Sequence, residues 1–324
     1  MGKKGNLMTF RPDIKVVDCT IRDGGLVNNF MFSEQFIKDL YNTNVNAGVD
    51  YMEFGYKASS DLFPEDKFGK WKFCHEQDII DVVGDKDNDM KISVMADVGR
   101  TNLQRDICDK GNSAIDMIRI ATYINTIPAA IDMVEYCHKK GYETTVNIMA
   151  ISKATESDLQ QALEILCESS VDAVYLVDSY GSLYPEQIRE LSDKYLEAAS
   201  KTNKIIGIHA HNNQQLAFAN TIEATAMGVS YLDATIGSLG RGAGNCPMEL
   251  LLGFLKNPRY NIAYILKFLE QHILPLQASG LKWGYDIPYI LTGRFNRHPS
   301  AGIEFTKENR TDYLNFYHEI LDHE

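Results

Sequence analysis

The segment IIGIHAHNN, Ile205 to Asn213, places two histidines one residue apart near the end of an apolar, β-branched run. Alternate side chains of a strand share a face, so His209 and His211 point the same way, close enough to grip one metal ion. Far upstream, VVDCTIRDGG supplies an acidic residue, Asp23, just past another apolar run. One carboxylate and two imidazoles at the ends of different strands form a divalent-metal site. Taken alone, His-x-His reads more simply as a hydrogen-bonded pair within a strand. The elements that carry the three residues decide between the two.

Those elements repeat. Eight short β-branched segments recur with amphipathic stretches between them: IKVVDCT, YMEFGY, KISVMAD, MIRIATY, ETTVNIMA, AVYLVDSYG, IIGIHAHNN and YLDATIGSLG. Intervening stretches such as Ser157 to Ser170 and Gln214 to Gly228 carry apolar residues at helical spacing. Strands alternating with helices mean βα units and a parallel sheet, and eight of them match an α/β fold of the (β/α)8 TIM-barrel type. Asp18, Glu53, Asp97, Arg119, Asn147, Asp178, His209, His211 and Asp233 all fall at C-terminal strand ends, the pole where barrels build their active sites. The competing arrangement, a doubly wound open sheet, lacks a GxGxxG after the first strand. After Pro258 the rhythm changes to a helix (NIAYILKFLEQHILPL), an aromatic loop (KWGYDIPYILTGRFNRHPSAG) and a final helical segment. We expect a barrel catalytic domain over 1–257 and a C-terminal, mainly helical extension over 258–324 that contributes to the active-site rim.

Bulk properties exclude several classes. The net charge is −12 without any Lys/Arg-rich run, which argues against nucleic acid; a small anionic substrate remains compatible, because a metal or arginine creates a local positive site. Six cysteines without a CxxC pair argue against a zinc ribbon or a disulfide framework and for a reducing compartment. The N-terminal stretch MGKKGNLMTFRPD has no apolar core of a signal peptide, and no stretch reaches membrane-spanning length. The expectation is a cytoplasmic chain with a small-molecule partner, open to pairing as a homodimer, with no nucleic acid and no membrane.

Three motifs stand in order: Asp18-x-Thr20-x-Arg22-Asp23-Gly24 after strand one, His209-x-His211-Asn212-Asn213 on strand seven, and Gly240-Arg241-Gly242-Ala243-Gly244-Asn245 after strand eight. Together they resemble the HMG-CoA-lyase-like, or pyruvate carboxyltransferase-like, metal-dependent barrels. The pattern DCTxRDGGxxNN is closest to 4-hydroxy-2-oxovalerate aldolase-like (aldolase catalytic domain) proteins, over roughly Ile14 to Leu255. The resemblance implies that Asp23, His209 and His211 ligate a divalent cation, with Asn245 as a fourth ligand or a neighbour of the ligands. Family usage is Mn²⁺ or Mg²⁺; two imidazoles suit Mn²⁺ slightly better, and Zn²⁺ stays open. Arg22 is then expected to stabilise a developing enolate, its structural alternative being an ion pair with Asp18 or Glu53. Gly242 and Gly244 bring backbone close to a substrate carboxylate, or simply make a tight turn. Glu53, Asp97, Arg119, Asn147 and Asp178 are expected to orient ligands or contact substrate, the simpler alternative for most of them being a satisfied polar layer without substrate contact, while Met52, Met95, Met117 and Met149 read as core fill. Cys246 follows Asn245 without the longer cysteine-bearing insertion of HMG-CoA lyases.

One departure stands out. Pyruvate-forming aldolases of this superfamily carry a histidine shortly after RDG as general base, whereas here the chain runs Gly24, Gly25, Leu26, Val27, Asn28, Asn29. Tyr285 and Tyr289 of the aromatic loop, then His298, are the substitutes, the plain alternative being that these rings pack on the rim. The function implied is a divalent-metal-dependent carbon–carbon lyase of aldolase type, acting on a 4-hydroxy-2-oxo acid through a metal-bound enolate and giving pyruvate or a related 2-oxo acid plus an aldehyde. The alternatives are a Claisen-type acyl-CoA/2-oxo acid synthase, suggested by GAGNCPMEL but opposed by the missing RDGEQ continuation, and a non-catalytic metal-binding barrel.

Overall fold

The computed structural model describes residues 11–322. All eight expected strands form: β1 (Lys15–Asp18), β2 (Tyr51–Tyr56), β3 (Lys91–Asp97), β4 (Met117–Tyr123), β5 (Glu143–Met149), β6 (Ala173–Asp178), β7 (Ile205–Ala210) and β8 (Tyr231–Ala234). Each pairs in parallel with its sequence neighbour, and β8 returns to β1 with Asp18 opposite Ala234, so the sheet closes. Closure leaves no sheet edge, which overturns the open doubly wound alternative. Helices α1 (Thr20–Asn28), α2 (Glu34–Ala47), α3 (Glu76–Val83), the short α4 (Leu103–Asp106), α5 (Ile127–Lys139), α6 (Glu156–Glu168), α7 (Pro185–Ser200), α8 (Ala217–Met227) and α9 (Met248–Leu255) lie between or after the strands. Their ends follow local chemistry: the Ser33 hydroxyl accepts from Phe36 N to open α2, and the left-handed Gly48 closes it.

Alternation along the strands makes two cores. Outward residues such as Val16, Ile92 and Ile118 pack under the helices, while Val17, Tyr51, Met117, Tyr175 and Tyr231 fill the interior. A bulge breaks the alternation on β2, where Glu53 pairs with Ser93 but Tyr56 with Met95. The extra residue turns Tyr56 to the same side as Glu53, toward the barrel mouth. Gly55 makes this possible with φ +153, and a Cβ there would collide with the Trp71 carbonyl.

The extension is helical, as expected, with one difference. A continuous run through α10 (Ile262–Phe268), a π-helical turn and α11 (Leu274–Ala278) precedes α12 (Ile287–Arg294), α13 (Ser300–Lys307) and α14 (Tyr313–Leu321). The segment read as an aromatic loop therefore contains α12: Asp286 caps it, and Pro288 sits in the first turn, where its missing N–H costs nothing. The α12 region is seated on the barrel mouth, where Asn296 Oδ1 accepts from Ser152 (2.6 Å) and Ser182 (2.9 Å) in the loops after β5 and β6. Among the described residues, no helix is long and apolar enough to cross a membrane.

Candidate metal centre

Strand β1 delivers the chain directly into α1, so Asp23 stands in the first turn of a helix rather than on a loop. Strand β7 carries His209 inward, and His211 lies just past its end, held in an isolated bridge to Asn245. One ligand atom each from Asp23, His209 and His211 lies within 4.8 Å of the others, all three residues buried. The imidazoles meet edge to face with centroids 5.0 Å apart. Their Nε2 atoms stand 3.3 Å (His209) and 3.8 Å (His211) from Asp23 Oδ2. His209 Nε2 and Asn245 Oδ1 are buried without a hydrogen-bond partner among the described residues. Two orphaned lone pairs beside a carboxylate and a second imidazole are what a cation of intermediate hardness requires, so the residues fit such an ion. A second cluster, Cys19 with His209 and Asp233, does not fit: burial pushes the Cys19 thiol well above its ordinary range, and Asp233 is already held by Arg119.

Beneath the ligands runs a closed ring of alternating charge. Arg22 donates to Asp23 Oδ2 (2.6 Å) and to Glu53 Oε2 (2.8 Å). Arg119 donates to the same Glu53 oxygen (3.0 Å) and to Asp233 Oδ2 (2.6 Å). Asp233 Oδ2 in turn stands 2.9 Å from His209 Nδ1, which brings the ring back to the metal side. The bond to Asp233 places the proton of neutral His209 on Nδ1 and leaves the Nε2 lone pair facing Asp23. Burial favours a neutral Asp23, but the adjacent Arg22 guanidinium outweighs it and holds the carboxyl well below its usual range. Burial likewise disfavours a charged His209, as does the Arg22 charge, yet the neighbouring carboxylates of Asp23 and Asp233 outweigh both and the imidazole is raised; His211 is driven well down by burial.

A cavity of about 70 Å³ opens over this cluster, lined by Arg22, Asp23, Tyr56, Asn147, Ser179, His209, His211 and Arg241 among others. That volume holds about two waters, room for the oxygens of a small acid headgroup. Of the residues singled out from sequence, Asp23, Arg22, Asn147, His209 and His211 meet here, while Asn245 and Asp23 both lie beside Gly240. Glu53 and Arg119 do not reach the cavity: both are 0 % exposed, sealed in the ring below, and Arg119 also stacks on Tyr175 at 4.5 Å. Their bonds go to Arg22 and Asp233. Gly242 (φ +63) packs beneath Tyr289, and Gly244 (φ +79) turns the chain where a Cβ would collide with the Ser238 carbonyl, seating Asn245. Tyr285 is 67 % exposed and Tyr289 is buried against Gly242 and Gly302, and neither ring is among the cavity-lining side chains. His298 touches it only through Arg241, whose Nη1 lies 3.0 Å from His298 Nε2.

Sequence reading missed Tyr56, hidden by the bulge, and the role of Asp233, which parity does signal: Tyr231 and Asp233 share the inward face of β8. It also assigned Met95 and Met149 to core fill, whereas both line the cavity. Arg241 was legible only as part of a glycine-rich loop; its backbone N–H donates to Asp23 Oδ1 (3.1 Å).

Comparison with known proteins agrees with this geometry. A family model described as HMGL-like matches residues 13–271. A 4-hydroxy-2-oxovalerate aldolase of Bacillus cereus is 26% identical over 286 residues, covering 84% of this chain and 81% of its own length. An oxaloacetate decarboxylase of Mycobacterium tuberculosis is 26% identical over 246 residues, 74% of this chain and 69% of the relative. The crystal structure of the N-terminal domain of a candidate aldolase from Bacteroides vulgatus superposes with a TM-score of 0.77 at 26% identity, covering 90% of this chain and 96% of that one. The carboxyl transferase domain of Rhizobium etli pyruvate carboxylase, at 14% identity and TM-score 0.70 over 94% of this chain and 56% of that one, shares the fold.

Proposed function

Because the chain belongs to the HMGL-like family, we propose that it is a divalent-metal-dependent carbon–carbon lyase of the aldolase type, acting on a 4-hydroxy-2-oxo acid. The observation that carries this reading is the convergence of Asp23, His209 and His211 under a small cavity, with the His209 Nε2 lone pair unclaimed. A cation held there, Mn²⁺ by the donor set or Mg²⁺ by family usage, would supply Lewis acidity toward the keto oxygen of the acid. Arg22, fixed by Glu53 and Asp23, is placed to stabilise negative charge that grows on that oxygen. Asp233 keeps the His209 proton on Nδ1, and Arg241 offers its guanidinium to the substrate carboxylate. Tyr56 lines the cavity, and its hydroxyl makes no hydrogen bond among the described residues. Burial raises its phenol, so Tyr56 stays protonated and donates to the substrate carbon that must gain a hydrogen once the carbon–carbon bond has broken, and the proton released by the 4-hydroxyl as it becomes the aldehyde oxygen restores the phenol.

A second reading, decarboxylation of a 2-oxo diacid such as oxaloacetate, is favoured by one observation. Apart from the Asp23, His209 and His211 cluster, no imidazole or carboxylate is among the cavity-lining side chains named above, and loss of CO₂ needs a proton donor but no base for a 4-hydroxyl. The Mycobacterium tuberculosis relative carries that name. The test is pyruvate release by Mn²⁺-loaded protein from 4-hydroxy-2-oxopentanoate and from oxaloacetate, with and without chelator. Chelator-sensitive release from the hydroxy acid, reduced about 10²–10³-fold in Arg22→Lys, supports the aldolase. Release from oxaloacetate alone selects the decarboxylase, and release from neither removes both.

A further inference from the structure

A larger cavity, of about 840 Å³, lies outside the metal centre, between the extension and the loops after β5 and β6. Its walls combine apolar surface from Phe295, Phe316 and Ile320 with two cations, Lys153 from the turn after β5 and Arg297 from the segment after α12. Neither cation's side chain makes a hydrogen bond or ion pair among the described residues. The one carboxylate in the wall, Glu319, is taken by Arg310 through bonds of 2.7 and 3.2 Å. In a chain of net charge −12, two uncommitted cations facing one pocket beside apolar side chains make a local positive site.

The two cavities have neighbouring walls. Ser179 lines the inner cavity and the next residue, Tyr180, the outer. Arg241 stands between them: Nη2 donates to the Ser179 carbonyl (3.1 Å), Nη1 faces His298 of the outer wall (3.0 Å), and Nε is buried without a partner among the described residues. Arg22 and Arg241 thus line the inner cavity, and Arg297 and Lys153 the outer one beside it.

We propose that this outer cavity seats an anionic group, a carboxylate or a phosphate, at the far end of the substrate, so that the 4-hydroxy-2-oxo acid is charged at both ends. The assignment of the group to the substrate rests on the lyase reading above; the anion seat itself does not. Two measurements on the full chain test it, using the Lys153→Ala/Arg297→Ala double variant. In the first, kcat/KM for 4-hydroxy-2-oxo acids ending in a methyl, a carboxylate or a phosphate is compared. Removing two charge-assisted contacts should lower kcat/KM for an anionic-tailed substrate at least about tenfold and leave the methyl-tailed one unchanged. The tail with the larger loss, carboxylate or phosphate, identifies the group. In the second, Mn²⁺-loaded, oxalate-saturated protein is titrated calorimetrically with inorganic phosphate and with acetate, and the double variant should bind at least about tenfold more weakly. If no oxo acid is turned over but anion binding depends on the two cations, the lyase reading falls and the seat stands. Unchanged anion binding, or equal losses on methyl-tailed and anionic-tailed substrates, overturns the proposal.

Discussion

Asp233→Asn is the most informative single change at the metal centre. The substitution keeps the shape of the side chain but removes the charge that holds His209 Nδ1 at 2.9 Å and receives Arg119 at 2.6 Å. Losing a carboxylate that orients a metal-binding histidine costs about 10–100-fold in metal affinity, or about 1.4–2.8 kcal/mol. A second cost falls on the fold. Arg119 is 0 % exposed and keeps only Glu53, at 3.0 Å, as a carboxylate partner. Stranding one member of a buried ion pair costs about 3–5 kcal/mol, and the remaining partner puts this case at the lower end. For a chain of 324 residues a cost of about 3 kcal/mol lowers the thermal midpoint of chelated protein by about 4–5 °C. The two costs separate in the Asp233→Asn/Arg119→Met double variant, which no longer strands a cation. It should recover most of the thermal midpoint while still binding Mn²⁺ about 10–100-fold more weakly by calorimetry. Asp233→Asn protein that binds Mn²⁺ as tightly as the parent, or a double variant whose metal affinity recovers in step with its stability, would refute the reasoning.

Three further outcomes follow from the same geometry. Tyr56→Phe should slow solvent exchange of the pyruvate methyl protons by about 10²-fold, the usual weight of a positioned proton donor, whereas Tyr285→Phe, altering a ring 67 % exposed on the rim, should leave it at the parent rate; the reverse result would restore the extension as proton source. His209 has a raised pKa in the folded chain, so in chelated protein its contribution to stability is complete below its ordinary value of 6.5 and is lost as pH rises through the raised value; thermal midpoints of chelated protein should fall over that rise, relative to a His209→Asn variant, while Mn²⁺ affinity climbs as the cation displaces the same proton. Gly244→Ala forces a Cβ into the Ser238 carbonyl at φ +79 and should both lower the midpoint and weaken Mn²⁺ binding by displacing Asn245, whereas Gly253→Ala, with open space around its Cβ, should do neither.

The barrel was legible because its signals are local: each strand is a short β-branched run, and polar residues gather at one end of every run. The metal cluster was legible for the same reason, since His209 and His211 share a strand face and Asp23 follows the first strand. What stayed hidden depends on contacts distant in sequence. Glu53 and Arg119 carry charge at strand ends, and nothing local distinguishes a residue that touches a ligand from one that braces another side chain; only closure shows that both are sealed beneath the cavity. Tyr56 was lost because period-two counting from Glu53 turns it outward, and the bulge at Phe54–Gly55 reverses that count. The helix α12 was read as a loop because its flanking glycines and prolines outweighed a helical run of only eight residues.

The charge ring also bears on how the chain reaches its native state. Its members come from β2, β4, β7, β8 and the helix after β1, so the ring spans the seam where the first strand meets the last. A partly assembled barrel in which β1 has not yet found β8 holds Glu53 and Arg119 together but keeps Asp23 apart from His209 and His211. Such an intermediate lacks the carboxylate of the three-residue cluster and leaves buried charges unmatched. Ring completion and ligand assembly thus both require the two ends of the barrel sequence to meet, contacts of the long sequence separation that slows folding. A cation that binds the closed barrel in preference to any open form draws the folding equilibrium toward closure. The metal centre then registers that the last strand is in place.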